Sequence, residues 1–494
     1  MNPSRDWMDG GIDLLWGLTL FFLPVTSFPY FPLLGRDTQV RPLSFFPLLL
    51  CLPLLVIQAW RRKTKLWKHA FTPLSIFILA LVITSAAGFF LAPPEVHGQD
   101  YTGRMVRAFL TLAIGLAFLL LSAWSLTSRE RLIASLKWLY LGLFLTFLWG
   151  MVQLAVFKGW ILNEDILDAM QKQFSISGIS LKNLRIPGFT FEPSWLAAQA
   201  AIFYFPWLYA SWLTGLRVTR WRWLEAVLGA MAIFLILFSY SRSGLLMVLA
   251  TGLLVGVIAG KEKLAQAWQW FRQPFMKSVR KTVRSWKDWL RRLGLVFILL
   301  LALGSGLMVL SRNPYFSKIW HSRKTDPVGY IIDIYAGPRL AYLWSGMATF
   351  NQHPWLGVGL GASGFHLRQN FPDWSLNFVP EVTLYFSPRN TSFPNIKNMF
   401  VRLLAESGMI GFGAFVAFLL YTLGLVLEFR KGNGQVARFL WVAGLSSWLV
   451  IVLFFFTQDS LAMPNNWINL GMLMGAIEWA VIPAAGLDHP QPAV

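Results

Sequence analysis

Three arginines in this chain lie in segments that connect long apolar runs, and their side chains are the first candidates for chemistry. Arg185 precedes the segment IPGFTFEPSW, Arg242 lies in the short turn SYSRSG, and Arg339 lies in AGPRLAYLW. A guanidinium at the edge of a membrane span either snorkels to the headgroups or pairs with an anion. Singly, each reads equally well as a structural arginine. Together on one side of a membrane, their planar forks suit a diphosphate, which they would neutralise and grip in fixed geometry. A lipid diphosphate presents its headgroup at that depth.

Glu192 stands before Pro193 at the start of another apolar run. A carboxylate there is favoured by the helix macrodipole; it could also serve as a general base or as an arginine's partner. His321, His353 and His366 have no spacing that compels a metal site, so no metal is expected. His353 is singled out because HPWLGVGLGASGF places it before a glycine-rich turn containing Gly357 and Gly359, where backbone can approach a ligand closely. That turn follows no strand pattern and lacks the full Walker pattern, which argues against an ATPase.

The elements that must position these residues are membrane helices. Of the 494 residues, 56% are hydrophobic and 13% charged, against roughly a quarter charged in a soluble domain. Apolar stretches recur from residue 11 to residue 484, which predicts a single membrane domain over 1–494. Spans are expected near 11–33, 42–60, 71–92, 105–126, 132–157, 194–215, 223–240, 244–260, 293–311, 408–428, 438–457 and 467–484. The expected fold is therefore an all-α polytopic membrane protein of about 12 transmembrane helices.

A formal net charge of +20 would suggest nucleic acid in a soluble protein, but here most of it lies in short loops, and no nucleic-acid partner is expected. Basic residues cluster at alternate connections: Arg61, Arg62, Lys63, Lys65 and Lys68; Arg129 and Arg131; Arg217, Arg220 and Arg222; the stretch 261–292; and Arg430, Lys431 and Arg438. By the positive-inside rule these loops and both termini are cytoplasmic, which puts the candidate residues outside. Two external segments, 158–193 and 312–397, are longer than a connection needs. The second, aromatic and proline-rich, predicts a folded extracytoplasmic cap between the ninth and tenth spans. Residues 261–292 alternate aromatic and basic side chains at helical spacing, as a cytoplasmic amphipathic helix on anionic membrane lipid would. Cys51 stands alone and excludes disulfides within the chain.

With these features in place, the sequence resembles the superfamily of O-antigen ligases and Wzy-type O-antigen polymerases. The resemblance rests on SYSRSG around Arg242, on GPRLAYLWSGMATFNQHPWLGVGLGASGF, and on KNMFVRLLAESGMIG, where Asn398 precedes Gly408 and Gly411 at the family's spacing. It covers roughly residues 185–428. It implies a fold related to the GT-C glycosyltransferases, no cofactor, and a site on the outer face of a bacterial cytoplasmic membrane. Arg185, Arg242 and Arg339 would bind the diphosphate of a polyprenyl-linked oligosaccharide donor, and the residue before Asn398 would sit near a glycan or lipid-linked acceptor. Here Lys397 stands where many ligases have histidine. A lysine binds phosphate or, with a depressed pKa, acts as a base. Glu192 and His353 remain the other catalytic candidates, with Asn398, Gly357 and Gly359 positioning the acceptor or its loop. The implied activity is metal-independent glycosyl transfer, polymerising repeat units, with ligation to a lipid A core or another acceptor as the alternative. A solute transporter is the competing class, though few ionisable residues lie mid-span to couple ions.

Overall fold

The computed structural model describes residues 7–30, 38–62, 68–91, 93–160, 163–177, 184–276, 282–385, 387, 390, 392–432 and 434–481. Among them the chain is all-helical, with β-bridges only as the isolated pairs Ser27 with Arg41 and Val96 with Gln99. The chain opens with α1 (Trp7–Phe21), α2 (Phe45–Arg62), α3 (Lys68–Gly88), α4 (Tyr101–Ser125) and α5 (Arg129–Phe157). After α6 (Glu164–Gln171) come α7 (Pro193–Gln199), a π-helical turn (Ala200–Tyr204), α8 (Phe205–Thr214), α9 (Arg222–Ser239), α10 (Arg242–Ala259), α11 (Lys261–Met276) and α12 (Thr282–Arg312). A cap follows: α13 (Pro314–His321), α14 (Pro327–Asp333), α15 (Gly337–Gln352), α16 (Ser363–Asn370), α17 (Asp373–Phe378) and α18 (Pro380–Tyr385). The long α19 (Met399–Glu428), α20 (Gln435–Phe455) and α21 (Ile468–Ala480) complete the bundle.

Among the described residues, eight helical segments are long and apolar enough to cross a bilayer: Phe71–Leu91, Tyr101–Ser125, Arg129–Phe157, Arg222–Ser239, Arg242–Ala259, Arg292–Arg312, Met399–Glu428 and Gln435–Phe455. The other four of the twelve expected spans are shorter or broken. α1 stops after 15 residues, and the chain beyond it turns back so that Phe28 N–H donates to Arg41 O and Arg41 N–H to Thr26 O, both at 2.8 Å. α2 contains Pro53, the 194–215 segment is interrupted by the π turn, and α21 has 13 residues. Hydropathy counts apolar residues whether or not they are helical, so the Phe22–Tyr30 segment was absorbed into a span. Of the basic amphipathic stretch, residues 277–281 lie outside the described residues, as do Lys63 and Lys65.

Close packing in the bundle relies on small residues, as membrane helices do where burial drives little association. A Cβ on Gly471 would come 2.1 Å from Ser122 Oγ, and one on Gly475 would come 2.4 Å from Ala123 O, so α21 lies directly on α4. Asn469 ties the π turn to its neighbours: Nδ2 donates to Ile202 O (2.6 Å) and Ser447 Oγ (3.1 Å), while Oδ1 accepts from Trp207 Nε1 (3.3 Å). Such interhelical bonds contribute on the order of 0.6 kcal/mol each, but leaving Asn469 unsatisfied in the bundle would cost more.

Two arrangements hold the site from outside the bundle. The cap encloses its own core of Tyr342, Leu367, Phe371, Val379, Val382 and Ile396, closed below by Val401 and Ala405 of α19. The segment leading to Glu192 is pinned by glutamines. Gln171 Oε1 accepts from Trp149 Nε1 (2.8 Å) and Gln153 Nε2 (3.1 Å), and Gly188 N–H donates to Gln153 Oε1 (2.9 Å). Every polar atom in that cluster has a use, which fixes the loop.

Candidate active site

A cavity of about 470 Å³ lies where the cap meets the helix ends. Its walls come from the Thr38–Val40 loop, the first turns of α4, Phe191–Trp195, the start of α15, Glu381 and Tyr385 of α18, Ser392–Lys397, and the end of α20 with Thr457–Ser460. Asp100 caps α4 by accepting from Gly103 N–H (3.2 Å), and the helix then carries Arg104 and Arg107 one turn apart into the cavity. The Arg104 guanidinium lies 4.0 Å over the Phe393 ring and donates to Gln99 Oε1 (3.2 Å); its Nε is buried without a partner. Neither of these arginines nor Arg339, which lines the cavity from the start of α15, forms an ion pair with a described carboxylate.

The charged floor is assembled around Lys397. Its backbone takes a left-handed conformation (φ 59°), its N–H donates to Asp459 Oδ2 (3.0 Å), and its ammonium pairs with Glu381 beneath the Tyr342 and Tyr385 rings. Asn398 caps α19 through Val401 N–H (3.1 Å) and donates to Phe456 O (3.3 Å), which joins the start of α19 to the end of α20. Arg402 and Glu406, one turn apart on α19, form a buried pair at 2.9 Å. Arg402 also donates to Asp459 O (2.5 Å), and Ser363 Oγ donates to Glu406 Oε1 (2.7 Å). Burial pushes the Asp459 carboxyl above the ordinary aspartate range, against the opposing pull of Arg402 and of the Lys397 N–H.

The residues singled out in the sequence divide in two. Glu192, Arg339 and Lys397 line the cavity. Glu192 occupies the N-cap position of α7 without capping it, and accepts from Ser194 Oγ. Arg185 and Arg242 stand behind the wall, sharing the Tyr315 ring at 4.3 and 4.6 Å. Arg185 Nε donates to Ser239 O (2.8 Å); Arg242 spends its fork on Ile334 O (2.6 Å) and Tyr315 O (2.5 Å). Burial lowers the pKa of Arg185, opposed by Tyr315 and Glu192 and helped by Arg242 and Arg339.

His353 ends the helix that Arg339 begins, about 20 Å away at helical rise. Its ring lies 5.7 Å from that of His366, whose pKa burial and His353 push down to about 4. Gly357 and Gly359 also lie away from the cavity. Val358 and Gly359 N–H donate to the carbonyls of Ala405 (3.0 Å) and Glu406 (2.8 Å), where the chain crosses α19. A Cβ on Gly357 would lie 2.5 Å from Glu406 C. The glycines serve a backbone crossing.

Sequence reasoning passed over Arg104, Arg107, Glu381 and Asp459. The arginine pair carried a readable signal, two cations three residues apart at the outer end of a span with no acid in the following turns. Asp459 carried none, because only the fold shows which way that loop turns.

Residues 226–416 match the family model for O-antigen ligase. Over that segment the chain is similar to the O-antigen ligases. No curated protein matches it. The O-antigen ligase segment runs from α9 into α19 and includes Arg242, Arg339, His353, Lys397, Asn398, Arg402 and Glu406. Arg104, Arg107, Arg185, Glu192 and Asp459 come from outside it, so the cavity of this O-antigen ligase relative is completed by both flanks of the chain. The match and the apolar helices together support a multi-pass membrane protein with an enzymatic activity of the ligase or polymerase kind.

The geometry of Arg242 gives a testable consequence within the O-antigen ligase segment. Arg242→Ala removes both carbonyl clamps on the ends of α13 and α14, so limited proteolysis of the purified protein should cut within 313–336 several times faster. Unchanged cleavage would show that the clamps do not hold the cap.

Proposed function

We propose that this protein polymerises glycan units carried on polyprenyl diphosphate, at the extracytoplasmic face of a bacterial cytoplasmic membrane. The observation that carries the reading is the cavity itself: Arg104, Arg107 and Arg339 line it without ion-pair partners among the described residues, beside the carboxylates Glu192, Glu381 and Asp459. An acceptor hydroxyl attacks the anomeric carbon, the bond to the diphosphate oxygen breaks, and the arginines stabilise the charge gathering on that leaving group. Arg185 and Arg242 add positive potential behind Tyr315 and hold it in place. Since diphosphate leaves readily, no nucleophile from the protein is required.

Helix polarity supports the proposed side of the membrane. The cavity gathers the starts of α4, α7 and α19 and the end of α20. The basic connections lie at the opposite ends of those helices, around Arg129 and Arg131, Arg217 to Arg222, and Arg430 to Arg438. The positive-inside rule supports a cavity on the outer side, where lipid-linked glycan is presented. Ligation to a separate acceptor is the second reading, favoured by the name of the matched family; Lys397 in place of the ligase histidine favours polymerisation.

The test is reconstitution in proteoliposomes with a polyprenyl-diphosphate oligosaccharide. A ladder of products lengthening by one repeat supports polymerisation, and a single addition to a distinct acceptor supports ligation. Flux of a solute with no glycan transfer would overturn both. Because arginine supplies the electrophilic assistance, transfer should survive EDTA with less than about twofold loss; a strict need for added divalent cation would show that a metal does this work.

A further inference from the structure

We propose that Asp459, and not Lys397, is the general base that takes the proton from the acceptor hydroxyl. This rests on the transferase reading above and adds to it the identity of a reacting group.

The assignment follows from how the polar groups of the cavity floor are already used. The Lys397 ammonium, which has no lone pair to offer, is committed to Glu381, and the Glu381 carboxylate is committed to that ion pair. Glu192 lies exposed beside Arg185, and one of its oxygens accepts from Ser194. Asp459 differs from both. It is 5% exposed, it lines the cavity, and only one of its carboxylate oxygens is occupied within the described protein, Oδ2 by the Lys397 N–H at 3.0 Å. Oδ1 is left for a ligand.

The surroundings hold that oxygen in position. The Arg402 guanidinium grips the Asp459 backbone carbonyl at 2.5 Å and is itself held by Glu406. Asn466 and Gln458 fix the loop on either side, through Ser460 O (2.8 Å) and the Asp459 N–H (2.7 Å). The left-handed turn at Lys397 aims its N–H at Oδ2. The residue preceding Asn398 therefore acts through its backbone as a positioning residue, a role indifferent to whether its side chain is lysine.

The step balances as follows. The acceptor O–H proton moves to Asp459 Oδ1 while the acceptor oxygen bonds the anomeric carbon. The bond from that carbon to the diphosphate oxygen breaks, and its electron pair stays on the diphosphate among Arg104, Arg107 and Arg339. Charged or titratable groups facing Asp459 are Arg402, Arg104 and Lys397, which favour its ionised form, and Glu406 and Tyr385, which oppose it. Burial outweighs the cations, so the base should lose activity as pH falls through a value above the usual aspartate range.

The experiment measures kcat and KM against pH for full-length protein in proteoliposomes, with a polyprenyl-diphosphate oligosaccharide as donor and acceptor. Asp459→Asn, which preserves shape and can still accept from Lys397, should lower kcat at least about 100-fold, leave donor KM within about threefold, and abolish the acid limb. Asp459→Glu should retain part of kcat with a displaced limb, which keeps the test valid if the asparagine variant folds poorly. A folded Asp459→Asn protein with kcat within about threefold of the parent, or with the acid limb intact, would overturn the assignment. If the parental protein itself transfers no glycan, the transferase reading fails, and this assignment with it.

Discussion

Arg339→Lys and Arg104→Lys should each slow glycan transfer at least about tenfold, equivalent to roughly 1.4 kcal/mol of transition-state stabilisation. Both arginines line the cavity without an ion-pair partner among the described residues, so their charge is available to an anion. Lysine keeps the charge but gives up the planar fork that can hold two oxygens of a diphosphate at once. Arg104 would lose more than the fork. Its stack on Phe393 and its bond to Gln99 set the plane of the guanidinium, and an ammonium at that position has no preferred plane. Initial rates at fixed ionic strength, on variants shown to be folded, provide the measurement. Parental rates in both would mean that bidentate contact is not how the leaving group is held.

Gly408→Ala should prevent accumulation of folded protein. Gly408 kinks α19 at φ 58° and ψ −164°, a conformation essentially confined to glycine and costing other residues about 1–3 kcal/mol. An added Cβ would also come 2.3 Å from both C and O of Trp355. Backbone there cannot retreat, because Met409 N–H is bonded to Pro354 O (2.8 Å) and Ile410 N–H to Trp355 O (3.3 Å). Strain and overlap together exceed about 3 kcal/mol, a large fraction of a typical folding free energy. Size-exclusion profiles and thermal unfolding in detergent report the effect. A monodisperse variant melting within a few degrees of the parent would show that the crossing tolerates a side chain and can open.

Much of the architecture was legible because hydropathy and charge act locally. A run of apolar residues and a basic flank can be read without knowing any neighbour, so the all-helical membrane fold follows from the sequence. Arg339 and Glu192 stood out in the same local way and Lys397 through the family resemblance, and all three line the cavity. What hydropathy could not give was where an apolar run ceases to be helix, as at Phe22–Tyr30, because that depends on backbone pairing with Arg41 across the chain. Which charges are free was hidden for a similar reason. Arg242 looks as available as Arg339 in the sequence, yet Ile334 and Tyr315, some 70 to 90 residues away, consume its donors. The Arg402 and Glu406 pair, four residues apart, is the exception that local spacing could have revealed. Asp459 entered the site through contacts with Lys397 and Arg402 that span 62 and 57 residues.

The π-helical turn at Ala200–Tyr204 sets the phase between the two halves of the helix it interrupts. In a regular α-helix each residue advances the direction of its side chain by about 100°, and a π turn accommodates one residue more than an α turn would. Glu192, Ser194 and Trp195 face the cavity from one end, while Trp207 at the other end meets Asn469. Deleting a single residue within 200–204 would allow an unbroken helix, but the two ends could then no longer both keep their partners. Either the wall of the cavity or the anchor in the bundle would rotate out of register by about a quarter turn. Chain length at this turn is therefore constrained independently of which apolar residues fill it.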